Sequence, residues 1–159
     1  MNEPAFTIRP ARTDDHPALL ALSPRLAAGV APWRDPGTVA RAVRGWIESS
    51  LAATHLDGHA VLVAVLNGQV EGMVSLAERR HFTGDLDAYI GELVVDGTVE
   101  GRGAGRALMT AAEGWAVNRG LPRITLETGT RNQRARRFYA SAGYLEEDIR
   151  LTKIFQSGL

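Results

Sequence analysis

The run Ala60-Val61-Leu62-Val63-Ala64-Val65-Leu66 contains no polar residue. A strand with one wet face alternates apolar and polar residues, whereas an unbroken apolar run belongs to a strand covered on both faces. Asn67-Gly68 follows at once, the dipeptide most suited to a tight hairpin turn, and Val70, Gly72, Val74 and Leu76 continue as its partner strand. The chain therefore builds around a sheet that other elements must cover.

The flanking patterns supply that cover. Phe6, Ile8 and Pro10 alternate with polar residues as a short first strand, and Thr13-Asp14-Asp15 offers a helix start with acidic residues in its first turn. Leu19, Leu20, Leu22 and Leu26 give this helix an apolar face, which Pro24 should kink or end. After a loop from Gly29 to Pro36, a second helix carries Val39, Val43, Trp46, Ile47 and Leu51. Tyr89 to Val95 reads as a strand, with Ile90, Glu92 and Val94 on one face. Ala104 to Asn118 reads as a helix closed by Gly120 and Pro122. Ile124 to Thr128 is a strand, and Asn132 caps a helix with Ala135, Phe138, Tyr139 and Ala142 on its inner face, ended by Gly143. Tyr144 to Asp148 and Ile149 to Phe155 read as two final short strands. The expected order is β-α-α-β-β-β-α-β-α-β-β. With no internal repeat, residues 1–159 read as one α/β domain.

Composition excludes several chemistries. The absence of cysteine removes disulfides, thiolate metal sites and a cysteine nucleophile, and no metal site is expected. Eighteen basic residues balance eighteen acidic ones, so no overall field favours nucleic acid or a membrane. Met1-Asn2-Glu3-Pro4-Ala5 lacks the pattern of a secretion signal, and no apolar run approaches the roughly 20 residues of a membrane span. The default expectation is a cytoplasmic protein.

The strongest functional signal is Gly101-Arg102-Gly103-Ala104-Gly105, between a strand and a helix. Glycines let the backbone turn sharply and approach a ligand, and the first amides of a helix attract phosphate. Gly105-Arg106-Ala107 lacks the Lys-Ser/Thr ending of a P-loop, and the third glycine comes one residue early for a dinucleotide fingerprint. By itself such a turn serves equally well to pack a helix on a strand.

Its context decides between these readings. The stretch from Glu92 to Leu108 resembles the acyl-CoA-binding motif of the GNAT superfamily of N-acetyltransferases, a strand and turn followed by Gln/Arg-x-x-Gly-x-Gly/Ala and a helix. The stretch from Asn132 to Tyr144 is similar to the family's second motif, Asn-x-x-Ala-x-x-Phe-Tyr-x-x-x-Gly-Phe/Tyr, and Ile8-Arg9-Pro10-Ala11-Arg12-Thr13-Asp14-Asp15 resembles its common opening. The resemblance implies a GNAT-like fold, a mixed central sheet of about seven strands flanked by about four helices. It implies acetyl-CoA as acyl donor, with the pyrophosphate on the amides of Arg102, Gly103, Ala104, Gly105 and Arg106 beside Glu100 and Gly101. The pantetheine arm would run along Leu93, Val94 and Val95 and meet Asn132 and Tyr139, and Tyr139 would protonate the departing CoA thiolate. Glu100 departs from the motif, which has Gln or Arg there, and is expected to face solvent.

The acceptor amine must lose a proton before attack. Glu92 is the first candidate base, Glu127 the second and His81 the third; His16, His55 and His59 read as surface residues. Trp33, Arg34, His81 and Phe82 lie in the segments expected to choose the acceptor, with Arg34 or Arg79 suited to an acceptor carboxylate. The reading is direct acetyl transfer from acetyl-CoA to a primary amine of a small molecule or peptide, by a protein compatible with a homodimer. The alternative is a non-catalytic acyl-CoA-binding or sensing module of the same fold.

Overall fold

The computed structural model describes residues 5–156. Met1 to Pro4, part of the stretch read for a secretion signal, lie outside the described residues. Five strands form one sheet in the order β1 (Thr7–Pro10), β2 (His59–Leu66), β3 (Gln69–Arg80), β4 (Leu86–Val95) and β5 (Ile124–Leu126). The first four run antiparallel to their neighbours, and β5 joins parallel to β4. The parallel step needs a crossover, which α3 (Ala104–Asn118) supplies. Helices α1 (His16–Ala21) and α2 (Pro36–Ala52) lie between β1 and β2, and α4 (Gln133–Ser141) follows β5.

The run from Ala60 to Leu66 is covered on both faces. Val61 and Val63 pack with Leu19, Leu22, Ile47 and Leu51 of the α1–α2 side. Ala64, with Ala60 and Leu62, packs with Leu108, Met109 and Ala112 of α3. Asn67 and Gly68 both take positive φ, 50° and 77°, as the two centres of a tight hairpin turn do. The bounds of α3 match the sequence expectation, and Gly120, at φ 71°, closes it.

Three expectations need correction. The first helix is split: Thr13–Asp15 is a 3-10 turn, α1 has six residues, and Ser23–Ala27 is a second 3-10 turn with Pro24 in its first positions. Its acidic start both caps the Thr13–Asp15 turn and ties it to the sheet. Asp15 accepts from Arg9 at 2.7 and 3.0 Å and from the Arg12 N–H at 2.7 Å, which clips β1 to the first turn and holds its carboxyl below the usual range. The sheet has five strands among the described residues, not about seven. Residues 144–155, read as two final strands, pair with no strand among the described residues; their contacts are side-chain ties such as Arg136 to Glu146.

The third correction concerns β4. Val74 faces Leu93 and Leu76 faces Ile90, so Gly91 and Glu92 together oppose the single residue Ser75. This bulge reverses the alternation. Ile90 packs on the α3 side, whereas Val94 packs on the α1–α2 side and Glu92 bonds Ser50 of α2. Ile90 and Glu92 therefore do not share a face.

Candidate functional site

The site forms where β4 and β5 part. Their pairing ends at Ile90 and Leu126, which leaves the β4 edge from Gly91 to Val95 without a strand neighbour among the described residues. On the other edge, Asp96 N–H bonds the Glu71 carbonyl at 2.7 Å, so alternation turns the amide groups of Leu93 and Val95 toward the open side. The Val95 carbonyl is engaged there, accepting from Arg25 Nε at 2.7 Å.

At the end of this edge the glycine turn leads into α3. Gly101 and Gly103 have φ of 78° and 93°, a conformation that penalises any side chain, although space for a Cβ is open at both. Gly105 has ordinary φ and lies against Phe138. The first amides of α3 find no partner one turn back in the helix; Ala107 is the first to bond, to the Gly103 carbonyl at 3.0 Å. The Arg102 amide, expected to join them, instead closes the turn onto the Val99 carbonyl at 3.1 Å.

Glu100 does not simply face solvent. Its carboxylate accepts from Arg25 at 3.0 Å and pairs with Arg134 of α4. Two cations hold one anion, so the departure from Gln or Arg leaves the turn with positive charge. Arg25 and Arg134 were invisible to motif reading, because the first comes from a 3-10 turn far earlier in the chain and the second from a variable motif position.

Glu92 is only 5% exposed. Ser50 donates to its carboxylate at 2.9 Å, Ser75 donates from β3, and the Glu92 N–H returns a bond to Ser75 Oγ at 2.8 Å. Burial raises its pKa, partly offset by the two hydroxyls. Glu92 therefore sits in the protein interior and not at a solvated strand end. The lone serine within Met73-Val74-Ser75-Leu76 was the one sequence signal for this cradle.

Tyr139 projects from α4 beside Phe138, edge-on at 5.5 Å, and burial pushes its pKa up to about 12. Asn132 caps α4, accepting from Ala135 N–H at 3.2 Å, and its amide reaches the Ala28 carbonyl at 3.5 Å. A Cβ on Gly29 would lie 2.5 Å from the Asn132 Cβ, so the α1–α2 loop is seated on this cap.

The residues 25–144 match the family model described as acetyltransferase (GNAT) family. The chain belongs to the GNAT family. It is 33% identical over 136 residues to dTDP-fucosamine acetyltransferase of Escherichia coli, an alignment covering 84% of this chain and 56% of that protein. It is 35% identical over 92 residues to aminoalkylphosphonate N-acetyltransferase of Salmonella typhimurium, covering 57% of this chain and 60% of that one. The chain thus spans somewhat over half the length of these curated relatives. The fold is shared with a GCN5-related N-acetyltransferase from Ralstonia eutropha (TM-score 0.74, 23% identity, 94% and 99% coverage). It is also shared with an aminoglycoside N-acetyltransferase solved in complex with CoA (TM-score 0.72, 17% identity, 98% of each chain).

The remaining candidates lie in several different parts of the chain. Glu127, just past β5, pairs with Arg79 at 3.3 Å, and Arg79 lies 4.3 Å over the Tyr89 ring. Burial raises the Tyr89 pKa, and the charge of Glu127 adds to this. Trp33 lies in the α1–α2 loop with Arg131 over its ring at 5.9 Å, and Arg34 lines a separate, mostly apolar cavity of about 320 Å³ with Pro24, Val30 and Val39. The contacts of His81 run to Thr83 and Phe82 of the β3–β4 hairpin and to Glu147 after α4, not to Glu92 or the glycine turn. No helix among the described residues is long and apolar enough to cross a membrane, and no group of metal-ligating side chains occurs among them.

Proposed function

We propose that this chain is one acyl-CoA-binding domain that transfers an acetyl group from acetyl-CoA to the primary amine of a small molecule. The carrying observation is a buried, hydroxyl-cradled Glu92 beside an open strand edge that leads to a helix start. The chemistry of the donor set fits CoA: free helix amides and arginines suit a pyrophosphate, and unpaired strand amides suit an amide-bearing arm.

In this reading Gly103, Ala104, Gly105 and Arg106 hold the pyrophosphate through their amides, with Arg102, Arg106, Arg25 and Arg134 supplying charge. Gly101 permits the turn, and Glu100 acts by holding Arg25 and Arg134. Leu93, Val94 and Val95 align the pantetheine arm, which takes the place of Arg25 on Val95. Asn132 bonds that arm from the α4 cap. Acetyl-CoA, when bound, supplies an acetyl thioester open to attack by a neutral amine. Glu92 takes the proton from the incoming ammonium, directly or through water; its raised pKa brings it nearer neutrality, where a general base is most effective. An amide of the open β4 edge stabilises negative charge on the carbonyl oxygen. Tyr139, its pKa pushed up to about 12 by burial, is protonated at neutral pH as an ordinary tyrosine also is, and it gives its proton to the departing sulfur. Tyr89, Arg79, Glu127 and Trp33 line the acceptor side. The two curated relatives carry an amino sugar and an aminoalkylphosphonate in their names, which favours small-molecule amines over protein acceptors.

Tyr139→Phe is expected to lower kcat about 10- to 1,000-fold while KM for acetyl-CoA changes little, as loss of a proton donor used late in the reaction requires. Arg134→Ala is expected to weaken acetyl-CoA about tenfold by calorimetry, because it removes a cation and uncovers the Glu100 carboxylate. The reading as a whole is tested by acetyl-CoA-dependent thiol release across amino sugars, aminoalkylphosphonates and aminoglycosides. At least one amine should raise thiol release well above hydrolysis. Binding of acetyl-CoA with no responsive amine would instead identify a sensing module.

A further inference from the structure

Ser75 is 3% exposed between Val74 and Leu76 of β3, a place where a hydroxyl is costly unless it is bonded. The β4 bulge is shaped around it. A bulge takes its extra residue out of the ladder, and here the Glu92 N–H bonds the Ser75 hydroxyl at 2.8 Å. Gly91, the other residue opposite Ser75, leaves the room, since a Cβ there would lie 2.8 Å from Ser75 Oγ. The same hydroxyl donates to Glu92 Oε2. Ser75 thus grips Glu92 by its backbone and its side chain at once.

The two carboxylate oxygens are served unequally. Ser75 and Ser50 both donate to Oε2, Ser50 at 2.9 Å, whereas Oε1 has the longer contact to Ser50 at 3.2 Å. A hydroxyl carries one hydrogen, so a Ser50 that serves Oε2 leaves Oε1 without a donor among the described residues. We propose that Ser75 is a positioning residue for Glu92, fixing the carboxylate by Oε2 so that Oε1 is the oxygen presented to the acceptor's proton. The inference rests on the reading of Glu92 as the base. In the step it serves, an ammonium N–H bond breaks, an O–H bond forms at Oε1, and the electron pair stays on nitrogen. Burial and the two hydroxyls set how Glu92 titrates, with no charged side chain contributing. Arg44 and Glu48 of α2 pair with each other, and Glu78 and Arg79 of β3 pair with Arg119 and Glu127. On β4 itself, Tyr89 is the titratable neighbour, and the Glu92 charge is the least of the influences on it.

The test joins carbon-13 NMR titration of the Glu92 carboxyl, assigned by its absence in Glu92→Gln, to kcat/KM for thiol release by the full chain. A hydroxyl bonded to the carboxylate favours its charged form, so Ser75→Ala should raise the titration midpoint, and the acidic limb of kcat/KM should move to higher pH with it. Above that limb kcat/KM should still fall about 10- to 100-fold, as misplacement of a reacting group does, with KM for acetyl-CoA unaltered. In a Glu92→Gln background the same change should cost less than about twofold, because a positioning effect disappears with the group positioned. Gly91→Ala crowds Ser75 Oγ while keeping every hydroxyl; it should also raise the midpoint, and it carries the test if Ser75→Ala does not fold. An unmoved midpoint, or an equal loss of rate with and without Glu92, would overturn the proposal and leave acetyl transfer standing. A wild type that releases thiol with no amine would overturn the acetyl-transfer reading and the role of Oε1 with it, whether or not the midpoint moves.

Discussion

Replacing Glu92 by glutamine is expected to lower kcat/KM by about 100- to 10,000-fold, the range a positioned general base contributes. Acetyl-CoA affinity should be nearly unaltered, since the side chain faces Ser50 and Ser75 rather than the glycine turn. The pH profile carries the more specific information. Burial raises the Glu92 pKa, so wild-type kcat/KM should fall on the acidic side as this carboxylate takes up a proton. The glutamine variant should lack that limb. An unaltered profile would remove Glu92 from the chemistry.

The same substitution should move stability in the opposite direction. A carboxyl whose folded pKa lies above its unfolded value favours the folded state most when protonated, below the unfolded pKa. That contribution is lost as pH rises toward the folded pKa, and above it the buried charge is a fixed cost. Glutamine removes the cost. Its Tm should exceed that of wild type at neutral pH, and the gap should close in acid, where Glu92 is itself neutral. A variant that is less active and more stable is what a residue kept for chemistry predicts.

The second large effect is expected at Gly103. Its φ of 93° places a side chain in strongly disfavoured backbone space, at a cost of about 1–3 kcal/mol. Gly103→Val should therefore lower Tm by several degrees, taking about 2–4 °C per kcal/mol for a domain of this size. Binding should suffer more, by at least about tenfold in acetyl-CoA affinity, because the turn aims the α3 amides. Gly120→Ala provides the control. Gly120 has a similar φ of 71° at the far end of the same helix, so its substitution should lower Tm without altering acetyl-CoA affinity. Equal losses of affinity in both variants would show that general destabilisation, not turn geometry, is being measured.

Much of the scaffold was legible because local chemistry decided it. The unbroken apolar run from Ala60 to Leu66 required cover on both faces, Asn67-Gly68 required a tight turn, and Gly120 and Asn132 marked helix ends where they occur. The misplaced parts depend on partners distant in sequence. The β4 bulge exists only against Ser75, and one extra residue there reverses which face Glu92 joins. The Glu92 cradle assembles Ser50 and Ser75 from two other elements, and the Arg25–Glu100–Arg134 cluster likewise draws on three segments. The final strands failed for a related reason. Tyr144 to Asp148 and Ile149 to Phe155 were read as strands from local sequence, and a strand needs a neighbour, which neither has among the described residues.

Calorimetric titration of acetyl-CoA into the wild-type chain and into Gly103→Val tests the central claim most directly. The account predicts one site per chain for the wild type and at least about tenfold weaker binding for a folded Gly103→Val. Absence of binding to folded wild type at millimolar acetyl-CoA, or equal affinity in both proteins, would contradict it.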